Sequence, residues 1–293
     1  MDIHSTSCAN GNRQFFGVLL RKNCINHKKT VKSTHYGNIY KKPMKQEGSF
    51  NLAGRKIMIG IPSYDYKVAT KWAISFAHFC VEAGKHGVQI QVGNISGCSV
   101  VSRARNLIAY DFLDSDCTDL MFIDSDITFN ADDVFRLMAW NSDPKKGIVA
   151  GIPVARKKGK VYISTLDIDA DKQVQMNPMG LVRALRVATA FMIIRRDVFT
   201  TLRDAHPEWA YIDDRIQDGK SYSFFDFKST PEGYVGEDYT FCDRAREAGF
   251  EVWIDPTIKL GHMGIHEFEG SFGEDYLYPM LHPLEDGKKV VNG

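Results

Sequence analysis

The apolar positions of this 293-residue chain change rhythm at Arg55. Residues 1–50 hold no sustained period of 2 or 3.6 and are rich in Asn, Lys, His, Ser and Thr, which predicts an extension with no packed core of its own. From Arg55 the pattern is regular. Ile57–Ile61 is an apolar run closed by Pro62, as in a strand buried on both faces. Trp72, Phe76, Phe79 and Ala83 recur at helical spacing, with Gly84 placed as a stop. Val88, Ile90 and Val92 alternate with Gln89 and Gln91, a strand signal. Ala104, Leu107, Ile108 and Phe112 form a second helical stripe, and Leu120–Ile123 is another short buried strand. Asn130 reads as an N-cap with Asp132 and Asp133 in the first turn, and Val134, Leu137 and Met138 form that helix's inner face. Ile148–Ile152 is a further strand.

This strand–helix alternation predicts a parallel, doubly wound α/β sheet over residues 55–152. Ligands bind at the carboxyl ends of strands in such sheets, so Pro62-Ser63-Tyr64 and Asp124-Ser125-Asp126 should share one rim. The second half is more mixed. Val161–Ile168, Leu181–Arg195, Tyr222–Phe227 and Glu251–Ile254 read as strands, and Asp197–Arg203 as a short helix. Lys228–Gly236, with Pro231, Gly233 and Gly236, reads as a loop. A helix follows from about Glu237 to Ala248, with Phe241, Ala245 and Ala248 inward and Gly249 as its stop.

Composition narrows the class. A hydrophobic share of 44% and a charged share of 25% suit a globule with a sizeable core. The net charge of +1 argues against a nucleic-acid binder, and it hides an asymmetry. Residues 1–50 carry nine Lys and Arg against two Asp and Glu, a balance of +7, and the remaining body is at −6. No apolar stretch approaches the roughly 20 residues of a membrane span. The six cysteines form no CxxC pair, which leaves a zinc knuckle or redox motif unsupported and makes a reducing, cytoplasmic setting the expectation. Cys80 and Cys242 fall on apolar helix stripes as buried thiols.

Four features could carry chemistry. Asp124-x-Asp126 places two carboxylates where the chain leaves a strand, which suits a hard divalent cation shared with phosphates; a turn cluster is the plainer reading. Glu237-Asp238 begins a helix after a Gly-containing loop. Two readings stand there, a helix start capped by acids and a general base. His262, between Gly261 and the Met263-Gly264 pair, is a metal-ligand candidate whose flanking glycines permit close backbone approach, with His266 as its competitor. Arg103 and Asn106 share a helix face that can meet phosphate or a base edge, with Arg105 beside them.

Taken in order, Ile59-Gly60-Ile61-Pro62-Ser63-Tyr64, Ser102-Arg103-Ala104-Arg105-Asn106, Phe122-Ile123-Asp124-Ser125-Asp126, Gly236-Glu237-Asp238 and Gly261-His262 resemble a GT-A fold glycosyltransferase of the family 2-like group. Ala188–Arg196 resembles the strand that family places before its acceptor region. The resemblance covers roughly residues 55–266. It implies a GT-A-type, Rossmann-like, mostly parallel sheet flanked by helices, as a single catalytic domain over 51–293 behind the 1–50 extension. Residues 51–152 would be the nucleotide-binding half and 153–293 the acceptor half.

The same resemblance implies a nucleotide-sugar donor held by Pro62, Ser63, Tyr64, Arg103, Asn106, Asp124 and Ser125. It implies Mn²⁺ or Mg²⁺ on Asp124, Asp126 and His262. Asp238 would be the base of an inverting transfer, with Glu237 beside it. The acceptor is open among glycan, lipid-linked and protein hydroxyls. Two alternatives stand beside it. Asp124-Ser125-Asp126-Ile127-Thr128 also matches the DxDxT nucleophile motif of haloacid-dehalogenase-like phosphatases, with Asp124 as nucleophile. A non-catalytic sugar-nucleotide-binding module on the same fold is the other.

Overall fold

The computed structural model describes residue 52 and residues 54–281, apart from 158, 172, 218, 232 and 265. The expected basic extension over 1–50 lies outside the described residues. In chain order the elements are β1 (Lys56–Ser63), α1 (Thr70–His86), β2 (Gln89–Ser96), α2 (Val101–Leu113), β3 (Asp119–Ile123), β4 (Ile127–Thr128), α3 (Ala131–Trp140) and β5 (Ile148–Ala150). Then follow β6 (Ser164–Leu166), β7 (Val182–Val187), β8 (Phe191–Arg195), α4 (Arg196–Ala205), β9 (Ala210–Tyr211) and β10 (Ser221–Tyr222). The last are β11 (Lys228–Thr230), β12 (Gly233–Val235), α5 (Glu237–Glu247), β13 (Val252–Ile254), β14 (Lys259–Met263), β15 (Glu267–Ser271) and α6 (Tyr278–Leu281).

An eight-stranded sheet in the order β2-β1-β3-β8-β5-β13-β7-β6 organises the molecule. Six strands point the same way, and β8 and β7 run against them. The α/β class and the mostly parallel sheet flanked by helices are as expected. The purely parallel arrangement over 55–152 is not, because β8 from the second half inserts antiparallel between β3 and β5. The long apolar stretch Leu181–Arg195 is therefore two strands at separate places in the sheet, not one.

The period-2 alternation of side chains along a strand explains the two cores. On β3, Leu120 and Phe122 face the cluster built with Leu107, Ile108 and Phe112 of α2, Phe199 of α4 and Phe241 of α5. Met121 and Ile123 face the opposite cluster, with Trp72 and Phe79 of α1 and Val134, Leu137 and Met138 of α3. Every residue of β3 is buried, which is why Leu120–Ile123 reads as a continuous apolar run, and the buried Asp119 at its start pairs with Arg55.

Several ends differ from the pattern reading. Helix α1 runs through Gly84 and stops at Gly87, whose φ of 68° closes the helix in the left-handed conformation. Asn130 does cap α3, and the Asp133 carboxylate reaches back to its backbone N–H at 3.4 Å. The Lys228–Gly236 segment is not a loop but the β11–β12 hairpin, a two-stranded sheet of its own. Tyr222–Phe227 forms no strand beyond Tyr222, because Phe224 and Phe225 turn into the core against Phe199 and Phe241. Cys242 is buried as expected, and Cys80 is only half-buried.

Candidate active site

The chain leaves β3 through a tight turn in which the Ile127 N–H donates to the Asp124 carbonyl at 3.0 Å. The Asp124 N–H donates to the Ala190 carbonyl at 3.0 Å, and the Ala69 N–H donates to the Ser125 carbonyl at 2.8 Å. The second bond ties the β1–α1 loop, with Tyr64 exposed at its tip, to this turn. Ser63 is buried and its hydroxyl donates to the Lys67 carbonyl at 3.3 Å. Pro62, Ser63, Tyr64 and Ser125 therefore do lie along one rim with Asp124 and Asp126.

Strand β14 brings His262 to the same turn. It pairs antiparallel with β4, placing His262 opposite Ile127 and Gly261 opposite Thr128. The glycine before the histidine serves this pairing rather than a ligand. A Cβ at Gly261 would overlap the Thr128 hydroxyl and the Glu267 carboxylate. The backbone then continues the contact, with the Met263 N–H donating to the Asp126 carbonyl at 2.8 Å.

Asp126 and His262 meet. His262 Nε2 lies 3.6 Å from Asp126 Oδ2, and its Nδ1 lies 2.9 Å from the Val154 carbonyl oxygen. A carbonyl only accepts, so Nδ1 carries the proton and Nε2 is aimed at the carboxylate. Burial pulls the imidazole pKa down, but the hydrogen bonds to Asp126 and Val154 outweigh it and leave the pKa raised. Arg156 pairs with the same Asp126 oxygen at 2.9 Å.

Asp124 turns elsewhere. Its Oδ1 accepts from Arg105 Nη2 at 3.2 Å, and Arg105 Nη1 donates to Glu237 Oε1. The Arg105 side chain is only 6% exposed, and its Nε has no partner in the structure. A guanidinium this enclosed needs anionic partners, and it draws one carboxylate from each end of the site. Asp238, next along α5, has its carboxyl pushed up to about 6 by burial, with the Glu237 charge adding and Arg105 offsetting part of the shift. The Asp238 side chain also accepts from the Tyr239 N–H at 2.8 Å.

Three expectations are corrected by this geometry. Arg103 is already paired; Asp213 takes its guanidinium in two bonds of 2.7 and 2.8 Å, and Asp214 pairs with it as well. That grip holds the Asp213 carboxyl down to about 2. The Asn106 side chain is spent on the backbone of Phe225, donating to its carbonyl at 2.9 Å and accepting from its N–H at 2.8 Å. The expected trio of Asp124, Asp126 and His262 is split, since Arg105 claims Asp124. Among the described residues no three His, Cys, Asp or Glu side chains gather into a metal-holding set. Arg105 is the residue that the sequence pattern passed over. Its signal was weak: an Arg one helical step from the pair that looked exposed.

No family model matches this chain, and no curated protein matches it. Among solved structures it is similar to A197 from STIV, at 17% identity over 74% of this chain and 90% of that one, with a TM-score of 0.46. It is also similar to GalNAc-T7 with UDP, GalNAc and Mn²⁺, at 11% identity and a TM-score of 0.41. A third is S. aureus TarS 1-349 in complex with UDP-GlcNAc, at 15% identity and a TM-score of 0.39. The chain covers 72% and 69% of itself in the last two comparisons, and spans 44% and 56% of those proteins.

Proposed function

We propose that this protein is a GT-A-type glycosyltransferase that moves a sugar from a nucleotide-sugar donor to an acceptor hydroxyl with inversion. The observation that carries the reading is the Arg105 bridge. It brings Asp124, at the end of β3, and Glu237-Asp238, at the start of α5, to one rim beside the Asp126–His262 pair.

The chemistry required matches these groups. A carboxylate oxygen and an imidazole nitrogen 3.6 Å apart, with the far nitrogen fixed on a carbonyl, are a donor set suited to Mn²⁺ or Mg²⁺. Asp126 and His262 would hold such an ion, which would take the place of the Arg156 guanidinium on Asp126, while Asp124 stays with Arg105. When bound, a divalent cation supplies Lewis-acid neutralisation of the departing nucleoside diphosphate. The β1–α1 loop and Ser125 border the space for the nucleotide. Asp238 accepts the acceptor's hydroxyl proton as that oxygen bonds to the anomeric carbon, and the bond from that carbon to the diphosphate oxygen breaks. A carboxyl with a pKa of about 6 is ionised at neutral pH yet a stronger base than a surface aspartate. Glu237, held by Arg105, stays beside it as a fixed anion.

The deciding experiment incubates the chain with a panel of nucleotide sugars and Mn²⁺ or Mg²⁺ and follows nucleoside diphosphate release and the anomeric configuration of the product. Binding and turnover of a donor with inversion support the reading. Failure to bind or turn over every donor would falsify it, and retention would remove Asp238 from the role of base.

A further inference from the structure

Of the aromatic residues clustered before α5, most are accounted for by the fold. Phe224 and Phe225 are fully buried, Tyr222 stacks on Phe224, and Trp209 is covered by the Arg244 guanidinium at 4.0 Å and stacked on His206. Phe227 is different. It packs at 5.4 Å, with planes 19° apart, against Tyr234 on the other arm of the β11–β12 hairpin. Tyr234 is 69% exposed and Phe227 38%.

We propose that this ring pair is the platform on which a pyranose ring of a glycan acceptor stacks. The inference rests on the glycosyl-transfer reading above and names its acceptor class. Register explains how the platform forms. Tyr234 is directly opposite Ser229, and Phe227 is two residues before Ser229, so the rings are diagonal neighbours on one face of the hairpin. The hairpin pairs with no other described strand, and the exposure of Tyr234 leaves that face open.

Location selects the occupant. Tyr234 is three residues before Glu237 and four before Asp238, so the chain holds its Cα within about 11 Å and about 14 Å of theirs. A glycan lying on the rings therefore starts within that span of chain from the proposed base. Size and chemistry point the same way. A stable protein partner needs about 800 Å² on each side, far more than two rings provide. A pyranose offers one flat C–H face of ring size with hydroxyls around it. The exposed Ser229, directly opposite Tyr234 on that face, supplies a hydroxyl for that polar edge.

The test places the intact chain on an array of defined mono- to tetrasaccharides, with Tyr234→Ala, Phe227→Ala and Tyr234→Trp beside it. UDP binding in Mn²⁺ checks that each variant keeps its donor site. The expected result is a subset of glycans bound by the parent chain, binding cut about tenfold or more by either alanine, and retained by tryptophan. UDP affinity should stay the same throughout. Equal glycan binding by the parent and both alanine variants overturns the platform. So does a parent chain that binds UDP and no glycan, because the acceptor is then not a sugar. Loss of donor binding by the parent chain itself counts against the glycosyl-transfer reading instead.

Discussion

Arg105 and Glu237 are 132 residues apart in sequence and form a buried ion pair. Its second arm reaches Asp124, so one side chain of α2 fixes carboxylates from the end of β3 and the start of α5. Removing it leaves the enclosed Glu237 carboxylate without its cation and takes one partner from Asp124. Arg105→Gln is therefore expected to lose about 3–5 kcal/mol of stability, read from urea unfolding. The double variant Arg105→Met with Glu237→Gln should recover a large part of that loss, because no charge is then left without its partner on the α5 side. An Arg105→Gln protein as stable as the parent would show that the bridge is not formed in solution.

Asp238 should set the acid limb of the reaction. Its carboxyl titrates at about 6, and only the ionised form accepts a proton. The transfer rate at saturating substrate should rise as pH increases from 5 to 7 and level off above that. Initial rates across this range check it, and a flat profile removes Asp238 from the role of base.

The same shift has a stability consequence. The folded state holds the Asp238 proton more tightly than the unfolded chain does. Stability from this group is thus complete below the ordinary aspartate range and falls as pH rises to about 6, after which the loss is constant. Asp238→Asn removes the cost of burying that charge. The variant should melt at a higher temperature than the parent at pH 8 while losing transfer by a hundredfold or more, on the order of a positioned base's contribution. Calorimetry at pH 4 and pH 8 separates the two effects, since the difference should shrink at pH 4.

His262 competes with any cation for its own proton. Its raised pKa means that Mn²⁺ has to displace a proton over a window reaching above the ordinary histidine range. Mn²⁺ affinity should therefore increase with pH across that window, with proton release visible when titrations are repeated in buffers of different ionisation heat. Asp126→Ala should abolish metal-dependent donor binding. Unchanged Mn²⁺ affinity in Asp126→Ala would move the metal elsewhere.

Asn106 is expected to matter for folding more than for the nucleotide. Asn106→Ala strands a buried N–H and a buried carbonyl of Phe225, a loss of about 2–4 kcal/mol. Affinity for whichever nucleotide sugar the donor panel selects, measured well below the melting temperature, should stay within a few-fold of the parent. A large loss of that affinity without a loss of stability would return Asn106 to the binding site.

Local chemistry was enough to locate much of this. The buried run of β3 and the two acids after it, the cap at Asn130 and the acid pair opening α5 all depend on neighbours in sequence. Short-range rules of burial, period and helix dipole therefore reach them. The same rules placed the β1–α1 loop and the Asp124 turn at one rim, because strands that run the same way end on the same side.

What the pattern could not reach is pairing between distant segments. Nothing in Phe191–Arg195 says that this strand inserts antiparallel between β3 and β5, since any apolar strand satisfies its backbone bonds with either neighbour direction. Arg103 and Arg105 look alike in sequence, two positive charges on one turn of helix. Only the folded chain shows that Arg103 meets the buried Asp213, and that Arg105 reaches Asp124 and Glu237. The sequence by itself determined which residues are acidic, apolar or able to cap. Tertiary structure decided which charges are buried together, because the cost of an unpaired buried charge depends on what the rest of the chain brings within a few ångströms of it.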